Sequence, residues 1–313
     1  MSESPRVTIG LPVYNAADYL RPTIDSILAQ TDPDWELIIA DNASTDETLA
    51  ICEEYMKSDS RIRLLTSEQN NGSAWNHNRC VAEARGEFFR WAGYDDPIAP
   101  DFNRRCIAAL EADESIAIVV PRMNEIDSNG TFLRLREPLD AVDGDTPSER
   151  FRQVIYGYTG EALLGMIRLD ILRTTRLEGL YAFNDYILVV ELALRGKIRP
   201  IPETLLDRRI HAQAINQLHA TNRSRAVAHN PKLAGKILFP HWREGRELWR
   251  TTTLAKLPFP QRWRSRVSML RWLRRRAGDL SHDVLFAARQ VLHRVLPGRK
   301  LTSSPQSVKS ASV

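Results

Sequence analysis

Cysteine is scarce in this sequence: Cys52, Cys80 and Cys106 are the only three among 313 residues. They are odd in number, far apart, and each lies in a helical pattern, which excludes a disulfide framework and zinc-ligand spacing and predicts buried free thiols. No GxxxxGK[ST] loop and no GxGxxG is present, so neither an ATPase P-loop nor a dinucleotide-binding fold is supported. No uncharged apolar run approaches the roughly 18 residues needed to span a bilayer. The N-terminal stretch MSESPRVTIGLPVYN has no charged segment followed by an apolar one, so a cytoplasmic protein is expected. There is no internal repeat.

What is present is enough apolar sequence, 43%, to bury a sizeable core in one domain with an appendage. The net charge of +4 hides an asymmetry: residues 232–300 carry 17 Lys/Arg against Glu244, Glu247, Asp279 and Asp283, or +13, leaving −9 for the rest. An acidic body with a basic end argues against a nucleic-acid-binding core and for an end that meets a polyanionic surface.

Short β-branched runs alternate with amphipathic stretches through the first part, the pattern of an α/β fold with a mostly parallel sheet and crossover helices. Strands are predicted at Arg6–Leu11, Glu36–Ala40, Ile62–Leu65, Phe88–Ala92 and Ile116–Val120. Helices are predicted near Ala17 after a cap at Asn15, after Ser44-Thr45-Asp46, after Gly72, and from about Pro100. Asp127-Ser128-Asn129-Gly130 reads as a hairpin turn. A helix opens near Asp185 and stops at Gly196 as C-cap, and Ile198–Ile210 returns as one or two strands. The domain is expected to span residues 1–216. A basic helical extension should occupy 217–300, broken at Pro240, Pro258 and Pro260, with a disordered tail at 301–313.

In an open parallel sheet, ligands bind outside the carboxyl ends of strands. Three of the runs end in polar clusters: Pro12-Val13-Tyr14-Asn15, Asp41 to Asp46, and Gly93-Tyr94-Asp95-Asp96. Strand-end Asp and Asn are also ordinary turn formers, but here three clusters share one sheet edge. Adjacent carboxylates such as Asp95 and Asp96 repel unless a cation or proton offsets them, and a divalent metal (Mg²⁺ or Mn²⁺) bridging to a diphosphate does so economically.

Four ordered blocks then carry a resemblance: VTIGLPVYNAADYL, DNASTDET, NNGSAWNHNRCVAEARGEFFRWAGYDDPIAP, and FNDYILVVELALRGKIRPIPETLLDRRIH. Over residues 7–211 the chain resembles the family 2 glycosyltransferases of the GT-A fold, a Rossmann-like sheet with flanking helices. The resemblance implies transfer of a sugar from a UDP-, GDP- or dTDP-linked donor to a glycan or lipid-linked acceptor, with inversion, as in cell-envelope polysaccharide or glycolipid assembly. It implies that Asp41 meets the base, that Pro12, Tyr14, Asn15, Gly72, Asn78 and Asp95 serve the donor, and that Asp95, Asp96 and His211 hold the metal. Asp185 matches the catalytic base, a carboxylate that its helix N-terminus would keep ionised. Three positions depart from the pattern: His77 stands in place of an arginine, Gly93 in place of the first metal-motif acid, and Asn184 in place of a glutamate. The segment 151–182, with Tyr156, Tyr158 and Tyr181, is the expected acceptor wall.

Four of the seven tryptophans, Trp242, Trp249, Trp263 and Trp272, lie in the basic extension. In one helix Trp263, Val267, Leu270 and Leu273 share a face with arginines elsewhere, which suits an anionic membrane interface; a helical lid on the domain is the alternative, and nucleic acid is not expected. The rival activities are a nucleotidyltransferase, whose glycine-rich basic loop the segment Leu11–Asn15 lacks, and a silent nucleotide-sugar-binding scaffold, which Gly93 and Asn184 favour.

Overall fold

The computed structural model describes residues 4–136, 139–157, 161–214 and 218–295. The expected domain end near Asn216, Tyr158 of the acceptor wall and the tail 301–313 lie outside these residues.

In chain order the elements are β1 (Val7–Val13), α1 (Ala17–Leu28), β2 (Trp35–Asp41), α2 (Thr48–Ser58), β3 (Ile62–Leu65), α3 (Ser73–Glu83), β4 (Phe88–Trp91) and α4 (Phe102–Glu111). There follow β5 (Ile116–Ile126), β6 (Phe132–Leu135), α5 (Pro147–Gly157), β7 (Met166–Arg168), α6 (Leu169–Arg173), α7 (Asn184–Ala193) and β8 (Lys197–Arg209). The extension contributes α8 (Asn222–His229), α9 (Pro240–Leu254), α10 (Phe259–Arg275) and α11 (Ala277–Val295).

The strands form one mixed sheet in the order β3-β2-β1-β4-β7-β5-β6, with β8 on the other edge of β5. β1 pairs in parallel with β2 on one side and β4 on the other. The chain thus reverses its winding at β1, and the crevice that a parallel sheet opens at such a switch point lies beyond the carboxyl ends of β1 and β4. Residues alternate between two apolar layers. Ile9, Leu11, Leu37, Ile39 and Phe88 pack with α1, α2 and α4, while Phe89, Trp91, Ile118 and Val120 face α3, α5 and α7. Leu248 of α9 and Met269 and Trp272 of α10 join the second layer, so the extension completes one face of the core.

Several expectations are corrected. Asn15 does not cap α1: its φ is 50° and its Oδ1 accepts the Thr45 N–H at 2.8 Å. The first turn is capped from the neighbouring loop, Ala16 N–H donating to Thr48 Oγ1 (2.7 Å) and Ala17 N–H to Asp46 Oδ2 (3.2 Å). Gly196 is not a left-handed cap; a Cβ there would lie 2.8 Å from Ala117 Cβ and 2.9 Å from Ala117 N, so it serves close approach to β5. β5 runs six residues past Val120, and β7 enters antiparallel between β4 and β5. Three residues of strand give too short a periodic signal to be read. The turn at Asp127–Gly130 joins β5 to β6 as expected, with Asp127 Oδ1 accepting from Asn129 and Thr131 N–H, both at 2.8 Å.

Candidate active site

The loops after β1, β2 and β4 converge at the switch-point crevice. Pro12 is half-buried, and Tyr14 stands 44% exposed at its mouth. Asp41, at the end of β2, is buried and accepts the Ser44 N–H at 3.2 Å. Asn42 holds the next loop by donating to Asn70 Oδ1 (3.0 Å) and accepting from Asn71 N–H (3.0 Å). That loop ends at Gly72, whose φ of 91° opens α3. A Cβ on Gly72 would meet the His229 carbonyl oxygen at 2.4 Å, so this glycine also lets α8 dock. The Asn78 amide donates to the Glu178 carbonyl (2.8 Å) and accepts the Glu178 N–H (3.0 Å). These two bonds make it a clamp on the backbone of Glu178.

The turn after β4 is arranged around its missing acid. A Cβ on Gly93 would lie 2.8 Å from Asp96 Oδ2 and 3.0 Å from Asp95 Oδ1; the absence of a side chain is what lets both carboxylates fold back over the turn. Asp95 Oδ2 meets His211 Nε2 at 2.8 Å. Asp96 is turned inward, accepting the Arg209 N–H at 2.8 Å, and burial beside Asp95 pushes its pKa up to about 7. His211 is held between Tyr19 (ring centroids 4.5 Å apart) and Tyr94 (6.3 Å), and among the described residues its buried Nδ1 has no hydrogen-bond partner. Among the described residues no group of three or more His, Cys, Asp or Glu side chains is placed to hold a metal. Asp95 and His211 meet as one oxygen and one nitrogen, and Asp96 stands behind them. The carboxylates fit a divalent ion that takes one or two of them and keeps most of its positions for water and phosphate oxygens, as Mg²⁺ does.

Asp185 lies at the N-terminus of α7, in a cavity of about 730 Å³ that reaches Trp91, Ala92 and Gly93 of the β4 turn. Phe183 takes a left-handed φ of 64° to turn the chain into the helix. Asp185 is exposed within this cavity, and crowding by the cavity walls pushes its pKa up, outweighing the Tyr186 N–H and Arg225, which lower it. A carboxyl with a raised pKa is the stronger base.

Sequence reasoning missed four residues here. Glu178, almost fully buried, accepts from Asn184 Nδ2 at 3.0 Å, and its pKa is raised by burial. A carboxylate therefore stands beside the position where the glutamate is replaced, in a segment that has no periodic pattern to betray it. Arg209 positions the acid pair, with its backbone N–H on Asp96 and its guanidinium on the Asp95 carbonyl (3.2 Å). Arg225 and His229, both on α8, line the cavity. His229 Nδ1 lies 2.7 Å from Ser73 Oγ, and burial lowers its pKa to about 4. The readable signal for α8 was the capping box of Thr221 and Ser224.

The family model described as "Glycosyl transferase family 2" matches residues 8–168. The chain belongs to glycosyl transferase family 2. Over 92 residues, 29% of this chain and 36% of the relative, it is 40% identical to the putative teichuronic acid biosynthesis glycosyltransferase TuaG of Bacillus subtilis. It is 33% identical over 129 residues to the chondroitin synthase of Escherichia coli, covering 41% of this chain and 19% of that one. The matched segments thus span well under half of those relatives. The fold is GT-A. The crystal structure of S. aureus TarS 1–349 in complex with UDP-GlcNAc superposes with a TM-score of 0.60 at 15% identity, covering 93% of this chain and 82% of that one. The mannosyltransferase PcManGT from Pyrobaculum calidifontis, in complex with GDP-Man and Mn²⁺, gives 0.53 at 17% identity over 95% and 82%. As a family 2 chain, this protein carries at Gly93 and Asn184 the departures described above.

Proposed function

We propose that this chain transfers a sugar from a nucleoside-diphosphate donor to a hydroxyl of a glycan or lipid-linked acceptor, with inversion, in assembly of a cell-envelope polysaccharide or glycolipid. The observation that carries this reading is the cavity that runs from Asp185 to Trp91, Ala92 and Gly93, the start of the turn that bears Asp95 and Asp96. Asp41 and the Pro12–Asn15 loop receive the nucleoside, with Tyr14 at the mouth. Asp95, Asp96 and His211 are the residues to hold Mg²⁺ or Mn²⁺, which when bound offsets charge on the departing diphosphate. Asp185 takes the proton of the attacking hydroxyl, and Glu178, through Asn184, fixes the start of its helix. The cavity walls exclude water and align the acceptor for a single in-line displacement. UDP, GDP and dTDP sugars are the candidate donors, since a lone carboxylate such as Asp41 hydrogen-bonds more than one base edge.

No helix among the described residues is long and apolar enough to cross a membrane. We place the protein in the cytoplasm, peripheral on the inner membrane face. In support, Phe259, Trp263, Val267 and Leu270 form an outward stripe on α10, 69%, 60%, 46% and 63% exposed, beside cationic side chains. A thermal-shift screen of UDP-, GDP- and dTDP-sugars with Mn²⁺, Mg²⁺ or EDTA tests the donor reading. A donor at 100 times its Kd adds about 2.7 kcal/mol, and the stabilisation should vanish in Asp95→Ala/Asp96→Ala. No shift with any donor would refute it.

A further inference from the structure

We propose that the acceptor is a polyanionic chain, held by Arg152, Arg271 and Arg275 along a track that leaves the Asp185 cavity past Tyr156. This rests on the glycosyltransferase reading and names the substrate class of the same site.

A second cavity, of about 910 Å³, is lined by Arg134, Arg136, Arg152, Tyr156 and Arg271 among others. Tyr156 also lines the Asp185 cavity, as does Arg275, so the two spaces meet at this ring. Arg275 lies over it at 5.1 Å. The track has a rigid base, because α5 and α10 are bolted together: Tyr156 Oη donates to the Ser268 carbonyl, and Ser148 Oγ to Gln261 Oε1, both at 2.5 Å. Arg152 and Tyr156 are one turn apart on α5, and Arg271 and Arg275 one turn apart on α10.

The other arginines near the track are matched. Arg134 and Arg136 share Glu125 (2.6 and 2.7 Å), and Arg136 and Arg208 meet on Glu161 (2.5 and 2.7 Å). On the extension, Glu247 alone pairs Arg243, Arg246 and Arg250. The side chains of Arg152, Arg271 and Arg275 are exposed, and among the described residues none is held in a hydrogen bond or ion pair, Arg152 sharing only the more distant charge of Glu149. Three such cations around an aromatic ring form a place for anionic groups on a sugar chain, the ring stacking on a sugar face. The reacting end is mixed in charge: Glu178, Asp185, Glu244 and Asp279 line the Asp185 cavity together with Arg225, Arg275 and Arg276, and Arg276 pairs with Glu244 and Asp279. The geometry therefore selects a chain whose reacting sugar enters the Asp185 cavity with carboxylates or phosphodiesters behind it.

The test uses the full chain with nucleoside diphosphate and Mn²⁺ present, measuring fluorescence anisotropy of labelled oligogalacturonate, glycerol-phosphate oligomer and maltopentaose. At least one anionic oligomer should bind ten-fold or more tightly than maltopentaose, with affinity falling as salt rises, and the two anionic arms tell carboxylate from phosphodiester. Arg152→Gln/Arg271→Gln/Arg275→Gln should lose that preference with its nucleotide thermal shift unchanged. Single Arg271→Glu serves should the triple variant fold poorly. Equal binding of neutral and anionic oligomers, or a variant that binds as wild type, overturns the proposal. So does a variant that loses only anionic-vesicle binding, which would assign these arginines to lipid. Absence of any nucleotide-sugar thermal shift would instead count against the donor reading, so the two failures are told apart.

Discussion

Asn184 donates from its Nδ2 to Glu178 Oε2 across 3.0 Å, inside a site where neither side chain meets bulk water. An amide is the right partner for that carboxylate, because it adds no charge. Asn184→Asp would place two buried carboxylates in contact, and one must then hold a proton. The variant should lose about 1–3 kcal/mol at pH 7, read by urea denaturation. Since protonation relieves the repulsion, the deficit should shrink at pH 5; an unchanged deficit would mean that the pair does not interact as described.

The base assignment is tested by pH as well as by substitution. Asp185→Asn should lower the transfer rate by about 10²–10⁴-fold while leaving the donor thermal shift intact. In wild type the acid limb of kcat should lie above the ordinary carboxylate range, because desolvation by the cavity walls raises the Asp185 pKa. Arg225 lowers that pKa, so Arg225→Gln should move the limb to still higher pH. A limb that stays in place in Arg225→Gln would show that a different group is titrating.

Asp96 makes stability depend on pH and metal together. Its folded pKa, about 7, lies above the roughly 3.9 of an unfolded Asp, so the folded state holds its proton longer. With EDTA present, the contribution of Asp96 to stability should therefore fall as pH rises from about 4 to 7. His229 acts in the opposite sense: its folded pKa, about 4, costs stability as pH falls below about 6.5. Asp96→Asn keeps the histidine and removes only the first effect. The difference between the two proteins should grow toward neutrality in EDTA and shrink when Mn²⁺ and a nucleoside diphosphate are added. A pH-independent difference would refute the assignment.

The parts legible in the sequence were those set by short-range pattern. The strands that end at Val13, Asp41 and Trp91 announce themselves by apolar runs closed by polar clusters, and these clusters do meet at one sheet edge. Asn15 looked like a cap because caps are usually local; its real partner, Thr45, lies 30 residues on. Glu178 and Arg225 belong to irregular or weakly patterned segments, and only tertiary packing brings them to Asp185. Asn78 matched a motif, yet nothing local to it reveals that the Glu178 backbone takes both ends of its amide.

Arg176 ties the core to the extension. It bonds Glu191 of α7 (2.5 Å), Glu247 of α9 (2.6 Å) and Thr251 Oγ1 (2.7 Å). Arg176→Gln leaves the buried Glu191 short of a charged donor and Glu247 with only Arg243, Arg246 and Arg250, at a cost of about 2 kcal/mol. Because α9 packs beside the Asp185 helix, amide exchange should speed up in both α7 and α9. Faster exchange confined to α9 would mean that the two helices are not coupled through this side chain.

Trp263 and Trp272 sit on opposite faces of α10, 60% and 2% exposed, and their substitutions should separate folding from membrane contact. Trp272→Ala removes a core ring and should cost about 3–5 kcal/mol. Trp263→Ala touches little of the protein and should change stability by less than about 0.5 kcal/mol. On anionic vesicles the order reverses: Trp263→Ala/Leu270→Ala removes the outward anchors and should weaken co-sedimentation several-fold at unchanged stability, with added salt weakening both proteins as headgroup attraction is screened. Neutral vesicles should retain little of either. Should the double variant sediment like wild type, the outward stripe does not bind the bilayer, and the basic extension serves only to wall the cavity.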